Sequence, residues 1–326
     1  MARTLRKRIV AMILSFCILV SGTVLPVGAD GESVAEVISE GFYSFSESID
    51  ISRFEIYPEE LGAIISSVIK DDPYLFFVSG RMSFSYTPGG VVLSLKPLYR
   101  ISSDEVQEAI DFCRQEVRKI ADAAGDFESD VERALFVHDY ICENFEYDDS
   151  LSCDDLYDFL KNGRGSCQSY AAAFMAVMRE CGIESHFVAS DTISHIWNYV
   201  RLGGEWYHVD LTWDDSGAGF SRRHFLLSDG LAEERGHRDW YSSIDVDCIS
   251  ETYADADFDV LFKNVHKSGD GDHDGAVGLS DLLLLRRYLT IGDESDVCLK
   301  CADINSDGSL DLLDACEFRK KLLATD

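Results

Sequence analysis

Basic residues are scarce in this chain. Of its 326 residues, 29 are Lys or Arg and 59 are Asp or Glu, a formal net charge of -30. A duplex nucleic-acid binder needs a basic face to meet phosphates, so that class starts out disfavoured. Proline is scarce too, with 5 in all, which argues against long Pro-rich linkers. Beyond the N-terminal stretch no segment reaches eighteen apolar residues in a row, so no membrane span is expected there. Apolar material is nevertheless ample. The chain is 46% hydrophobic and 11% aromatic, which excludes a disordered acidic tail. Its length suits about two domains with real cores.

The start reads as an address. Arg3, Arg6, Lys7 and Arg8 precede the apolar run Ile9 to Val20, and Val27-Gly28-Ala29 supplies small residues for cleavage. This is the pattern of a secretory signal over residues 1–29, and the run is short for a bilayer anchor. The mature protein is expected outside the cell. Cys17 leaves with the leader, so nine of the ten cysteines remain. An odd count flags one thiol for another use, including catalysis.

Residues 30–125 read as a mixed α/β region. Leu61 to Ile69 has helical spacing, Tyr74 to Val78 and Val91 to Leu95 are strand-like, and Pro88-Gly89-Gly90 is a turn. Asp104 to Phe145 is helical in two pieces broken near Ala124-Gly125. The next domain is expected over 126–250, a junction over 251–265, and a different texture over 266–326, where Asp, Asn and Gly clusters precede Leu-rich helices.

That tail is a duplication with an offset of 33 residues. Asp270, Asp272, Asp274 and Asp281 occupy the positions matched by Asp303, Asn305, Asp307 and Asp314. Gly275 and Gly308 sit where the chain must turn sharply, and Val277 and Leu310 are apolar for packing. These are the oxygen donors and spacing of an EF-hand calcium loop. Ala276 and Ser309 would donate backbone carbonyls, and Asp311 fits a water-mediated position that Gly278 does not. Helices are expected over Leu282 to Leu289 and Ala315 to Leu323. The half-EF-hand repeat over 266–326 resembles a type I dockerin. The resemblance implies two structural Ca²⁺ ions and docking onto a cohesin module of a scaffoldin. It places partner-reading residues at Leu279-Ser280 and Leu312-Leu313, with Arg286-Arg287 matched by Arg319-Lys320. Cys298-x-x-Cys301 between the repeats lacks a second pair at zinc-finger spacing, so a disulfide or plain packing is favoured.

The middle of the chain holds a nucleophile pattern. Ser166 is an N-cap residue and Gly182 a helix stop, so Cys167 falls in the first turn of a helix, where the dipole favours a thiolate. Unsatisfied N–H groups there suit an oxyanion hole. Tyr170, Phe174, Val177 and Cys181 form the apolar stripe behind it. Downstream, Gly203-Gly204 reads as a two-residue hairpin turn. In that register Leu202 pairs with Glu205, Trp197 with Asp210, and His195 with Thr212. His195 and Asp210 are then diagonal neighbours on one face, roughly 7 Å apart. A base held by a carboxylate is what a thiol nucleophile needs. His208 is the reserve base. His138, His186, His224, Asp214 and Asp215 read as structural, and Trp197, Trp206 and Trp213 as core or cleft walls.

Cys167-Gln-x-Tyr-Ala, His195-x-Trp-Asn-Tyr-Val and Trp206-Tyr-x-Val-Asp210-x-Thr-Trp-Asp-Asp together resemble the bacterial transglutaminase-like superfamily. The resemblance implies an α+β class: a papain-like core with a Cys helix on an antiparallel sheet, beside the small all-α dockerin. It implies catalytic roles for Cys167, His195 and Asp210 in acyl transfer at amide or peptide bonds, to water or to an amine. Gln168 or Trp197 would line the acyl site. The alternative is a non-catalytic accessory of a polysaccharide-degrading cellulosome. Residues 30–265 hold 46 acids and 18 bases, so most of the acidity belongs to this part. Long-range attraction of basic substrates is the expected consequence.

Overall fold

The computed structural model describes residues 10–11, 32–125, 127, 129–148, 154–215, 217, 219–254, 256, 258, 268–271, 277–292, 297–305 and 307–324. The leader expected over 1–29 lies outside these, apart from Val10–Ala11, which pair with Phe84 and Ser83. The chain divides into two compact units, Met1–Ala254 and Asp255–Asp326.

In the first unit, helix Val34–Tyr43 opens on a capping box: the Ser33 hydroxyl accepts from the Glu36 N–H and the Glu36 carboxylate accepts from the Ser33 N–H. Helix Pro58–Asp71 follows. Strands Ser83–Tyr86 and Val92–Lys96 form a hairpin, joined at the edge by Ile49–Asp50. Its turn uses Gly90 at φ 93°, a backbone region open to glycine. Tyr74 to Val78 is not a strand. Pro73–Phe77 forms a 3-10 turn, because the Asp72 carboxylate accepts from the Tyr74 N–H and Pro73 presets φ at the first position. Leu75, Phe76 and Phe77 are all buried. A short apolar run of this kind has no periodicity to separate strand from helix.

Helices Ser103–Ala124 and Asp130–Asn144 pack on the helix that carries the candidate nucleophile, Cys167–Glu180 (the Cys helix). The sheet beside it is antiparallel, in the order Phe225–Leu227, Glu205–Val209, His195–Leu202, Ser185–Ser190, Tyr241–Ser242. One face packs on the Cys helix through Ala171, Phe187, Ala189 and Ile196. The other buries Val188, Trp197, Tyr199 and Cys248. Both faces of the central strand are covered, so its sequence lacks the alternation of a half-exposed strand. Asn198 ties strand to helix, its amide donating to the Ala171 carbonyl at 3.1 Å.

The second unit is helical. Leu279–Ile291 and Leu312–Ala324 are joined through the short helix Leu299–Ala302. The two long helices start three residues before the expected Leu282 and Ala315, so Leu279, Ser280, Leu312 and Leu313 form their first turns. Leu285 and Phe318, equivalent positions of the repeat, are both fully buried, with Val277 and Leu310 packed on the same core.

Candidate active site and calcium loops

Cys167 is the first residue of its helix. Ser166 is the N-cap, but it acts through its backbone: its carbonyl accepts from the Ser169 and Tyr170 N–H groups, and its hydroxyl makes no cap bond. The N–H groups of Cys167 and Gln168 have no acceptor within the helix. The approach to Cys167 is narrow. Arg164–Gly165 pairs in parallel with Glu146–Tyr147, and a Cβ on Gly165 would lie 2.6 Å from the Ser169 hydroxyl and 2.7 Å from Phe159. Only glycine lets that strand run so close to the helix start.

The hairpin forms in the expected register from Leu202↔Glu205 to Asn198↔Val209, and then stops. Asp210 leaves the ladder to cap the short helix Leu211–Asp214: its Oδ1 accepts from the Trp213 N–H at 3.2 Å. Its own N–H donates to the His224 carbonyl at 2.9 Å. The pairs Trp197–Asp210 and His195–Thr212 therefore do not form; on its other edge the strand continues to pair as far as Ser190↔His195. The side chains still meet, with His195 Nε2 2.8 Å from Asp210 Oδ2. With Nε2 engaged, Nδ1 is the ring nitrogen left for Cys167, whose sulfur is close enough to act on the charge of the imidazole. Burial works against a charge on this imidazole, but the Asp210 carboxylate and the Cys167 thiol outweigh it and push its pKa up to about 9. Asp210 is fully buried; burial would raise its pKa, yet His195 and His237 hold it well below the usual carboxylate range. Trp213 stacks on His195 at 4.8 Å and 10°, with Trp197 nearly parallel at 5.7 Å.

His237 is the residue that sequence reasoning missed. It is buried, and its Nε2 lies 2.9 Å from the same Asp210 Oδ2, while Nδ1 lies 3.2 Å from the Ala232 carbonyl. It is 27 residues from Asp210 in a segment without strand or helix periodicity, so no local pattern pointed to it. His195, Asp210 and His237 also offer three potential metal-ligand atoms within 4.8 Å of one another. Their N···O separations are those of hydrogen bonds.

His208, His138 and His186 are occupied elsewhere. His208 accepts from the Trp197 indole N–H at Nδ1 and must then donate from Nε2 to Asp229. That tautomer has no lone pair at Nε2 for a base or for a metal shared with Asp229 and Cys248. Burial lowers its pKa as well. His138 sits between two carboxylates, Asp139 at 2.9 Å and Asp214 at 3.2 Å. Burial opposes its charge, but those bonds raise its pKa to about 8. Asp139 in turn is paired with Arg222, and Asp214 accepts from the His224 N–H. This network braces the loop that positions Asp210. His186 bonds Asp71, Trp197 is buried, and Gln168 lines a cavity beside the Cys helix.

In the second unit the second loop is described throughout its candidate ligands. Asp303 Oδ1 and Oδ2 accept from the Asp307 and Gly308 N–H groups, and Asn305 Oδ1 accepts from the Asp307 N–H. Asp307 Oδ1 accepts from the Ser309 N–H. Buried Asp314 accepts from the Ile304, Asn305 and Asp311 N–H groups. Asp311 accepts from the Leu313 N–H. Gly308 makes the sharp turn at φ 79°. These oxygens and this turn fit a calcium ion. Of the first loop, Asp270 and Asp281 are buried and Asp281 accepts from the Gly278 N–H at 2.7 Å; Asp272, Asp274 and Ala276 lie outside the described residues. Leu279, Leu312 and Leu313 are exposed, as are Ser280, Arg286, Arg287, Arg319 and Lys320. Cys301 is buried, and its N–H donates to Cys298 Sγ at 3.3 Å.

Residues 118–211 match the family model of the transglutaminase-like superfamily, and residues 268–323 match that of the dockerin type I domain. This chain carries a transglutaminase-like domain and a type I dockerin domain. The first is built from helices and an antiparallel sheet, and the described residues of the second form helices. The mouse (Mus musculus) Kyphoscoliosis peptidase is 27% identical over 114 residues, covering 29% of this chain and 17% of that protein. The human (Homo sapiens) Kyphoscoliosis peptidase is 26% identical over the same length and shares. The match thus spans about a sixth of these curated relatives. Among solved structures, one described as the crystal structure of a TGase has 12% identity and a TM-score of 0.32, covering 54% of this chain and 57% of that one. Among the described residues, no helix is long and apolar enough to cross a membrane.

Proposed function

We propose that this chain is a secreted cysteine enzyme acting on amide or peptide bonds, tethered through its dockerin to a cohesin module of a scaffoldin in an extracellular, cellulosome-type complex. The observation behind the catalytic reading is the 2.8 Å contact of His195 Nε2 with Asp210, on an imidazole whose charge the nearby Cys167 also favours. Cys167 gives its proton to His195, and the thiolate attacks the carbonyl carbon. The N–H groups of Cys167 and Gln168 take up the oxyanion charge. His195 then protonates the leaving amine, the C–N bond breaks, and a thioester remains on Cys167. Water, or an acceptor amine, loses a proton to His195 and releases the acyl group. Asp210 holds the tautomer and orientation of the imidazole. Hydrolysis is favoured over amine transfer, in line with the relatives being named peptidases.

In this reading residues 1–29 are the leader, 30–125 and 126–250 build the catalytic part, 251–265 is a junction, and 266–326 is the dockerin. Two Ca²⁺ ions are held, one by Asp270, Asp272, Asp274, the Ala276 carbonyl and Asp281. The other is held by Asp303, Asn305, Asp307, the Ser309 carbonyl, Asp311 (through water) and Asp314. The exposed Leu279, Ser280, Leu312 and Leu313, with Arg286, Arg287, Arg319 and Lys320, form the cohesin-facing surface. Substrate profiling of wild type against Cys167→Ala tests the enzyme, scored by cleaved product and by conjugation to a labelled amine. Product that persists in Cys167→Ala, or none in wild type, contradicts it. Cohesin binding with calcium, absent with chelator, tests the dockerin.

A further inference from the structure

A cavity opens beside Cys167, between the Cys helix and the N-terminal region. Gln168, Ala171 and Met175 line one side, and Lys70, Leu75 and Phe76 the other. Ala171 belongs to the cluster on which Cys167 and Tyr241 both pack, so cavity and thiol are neighbours. The far wall is bolted in place at Asp71, whose carbonyl accepts from Arg179 of the Cys helix and whose carboxylate meets Arg179 and His186.

The charged groups of the cavity have charged or multiple partners, with one exception. Arg100 pairs with Asp154 and Asp155, each at 3.3 Å. Asp72 accepts from the Tyr43 hydroxyl and the Tyr74 N–H. Lys70 forms no ion pair with a carboxylate among the described residues. Its ammonium donates to the neutral Tyr241 hydroxyl at 3.0 Å and sits over the Phe187 and Tyr241 rings, at 5.6 and 5.1 Å. In a chain with 59 acids and 29 bases, this half-buried ammonium meets no carboxylate directly among the described residues; the nearest link runs through the Tyr241 hydroxyl, which donates to Asp191 at 3.5 Å. The aromatic platform fixes its position, and at most one of its three donors is used by Tyr241.

We propose that this cavity binds a substrate residue bearing a carboxylate, with Lys70 holding the carboxylate and Ile69 and Ala172, the half-buried apolar residues of the lining, beside its aliphatic stem. The proposal rests on the acyl-transfer reading and adds the substrate class: acidic peptides, read through a Glu or Asp side chain or through the chain terminus. A charge-assisted bond in a half-buried site is worth about a 10- to 100-fold preference over the neutral isostere. The long-range field acts on the whole peptide and fades with salt, whereas this contact follows one group.

The test uses the full chain and two probe pairs: acetyl-Ala-Ala-Glu-Ala-Ala-amide against its Gln counterpart, and acetyl-Ala-Ala-Ala as free acid against its amide. Binding is measured by calorimetry on Cys167→Ala, so the result does not depend on turnover. One acidic member should bind about 10-fold or more tightly than its neutral partner, and the pair in which this occurs tells side chain from terminus. Added to that background, Lys70→Met should bring the ratio close to one, and Lys70→Arg should restore part of it. Equal binding within both pairs, no binding by any probe, or a preference that survives Lys70→Met would overturn the proposal. Loss of turnover in every assay with this preference intact would instead count against the acyl-transfer reading alone.

Discussion

The two units neutralise buried carboxylates by different means. In the first, Asp210 meets His195 and His237, Asp139 meets Arg222 and His138, and Asp214 meets His138. In the second, buried Asp314 and half-buried Asp303 accept from backbone N–H groups, and neither has a Lys, Arg or His partner among the described residues. Backbone dipoles alone leave much of that charge uncompensated. The first unit is therefore expected to respond to pH through its histidines, and the second to a divalent cation.

Several changes break or sharpen this contrast. Cys167→Ala should lower turnover by about 10⁴-fold or more and Asp210→Asn by about 10²- to 10⁴-fold, with cohesin binding untouched in both. Paired kinetics and cohesin titrations check this. Chelation of calcium should do the reverse: helical signal and cohesin affinity of the second unit fall while peptide turnover stays. At calcium about 1,000-fold above Kd, the ion contributes about 4 kcal/mol to that unit. Calorimetric scans with and without chelator read the difference, and a first unit that melts with the second would erase the contrast.

The pH response is smaller. His195 and His138 have raised pKa values, about 9 and about 8. Their contribution to stability is complete below the unfolded value near 6.5 and is lost as pH rises through 8 and then 9. The melting temperature of the first unit should fall over that window, and His138→Gln should flatten its lower part. A constant melting temperature from pH 6.5 to 9.5 would contradict the pairing. Smallest is Gly165→Ala. Its added methyl meets Ser169 and Phe159, so about 1–3 kcal/mol of stability is lost and turnover slows as the Cys helix start shifts. Thermal melts and kcat on the same sample test both parts.

Much of this was legible in local pattern. The Gly203-Gly204 turn fixed the hairpin register as far as Val209, because a two-residue loop leaves little choice. The helix stop at Gly182 and the break near Ala124-Gly125 were readable from the sequence. What failed depended on competition between local options. Asp210 left the strand because its carboxylate caps the next helix. Tyr74 to Val78 became a 3-10 turn because Asp72 and Pro73 start one there. His237 meets Asp210, and Cys167 approaches His195, across long stretches of sequence, and only tertiary packing brings them together.

The central claim is that His195 activates Cys167, and the alkylation rate of each cysteine by iodoacetamide tests it most directly. Cys316 is exposed and Cys167 only half-buried, so access alone favours Cys316. Burial pushes the Cys113 thiol up to about 12 and the Cys181 thiol up to about 11, which should keep both slow. The account predicts that near neutral pH Cys167 is labelled about 10-fold faster than Cys316, and that His195→Ala abolishes the advantage. Cys167 labelled no faster than Cys316, or equally fast without His195, would contradict it.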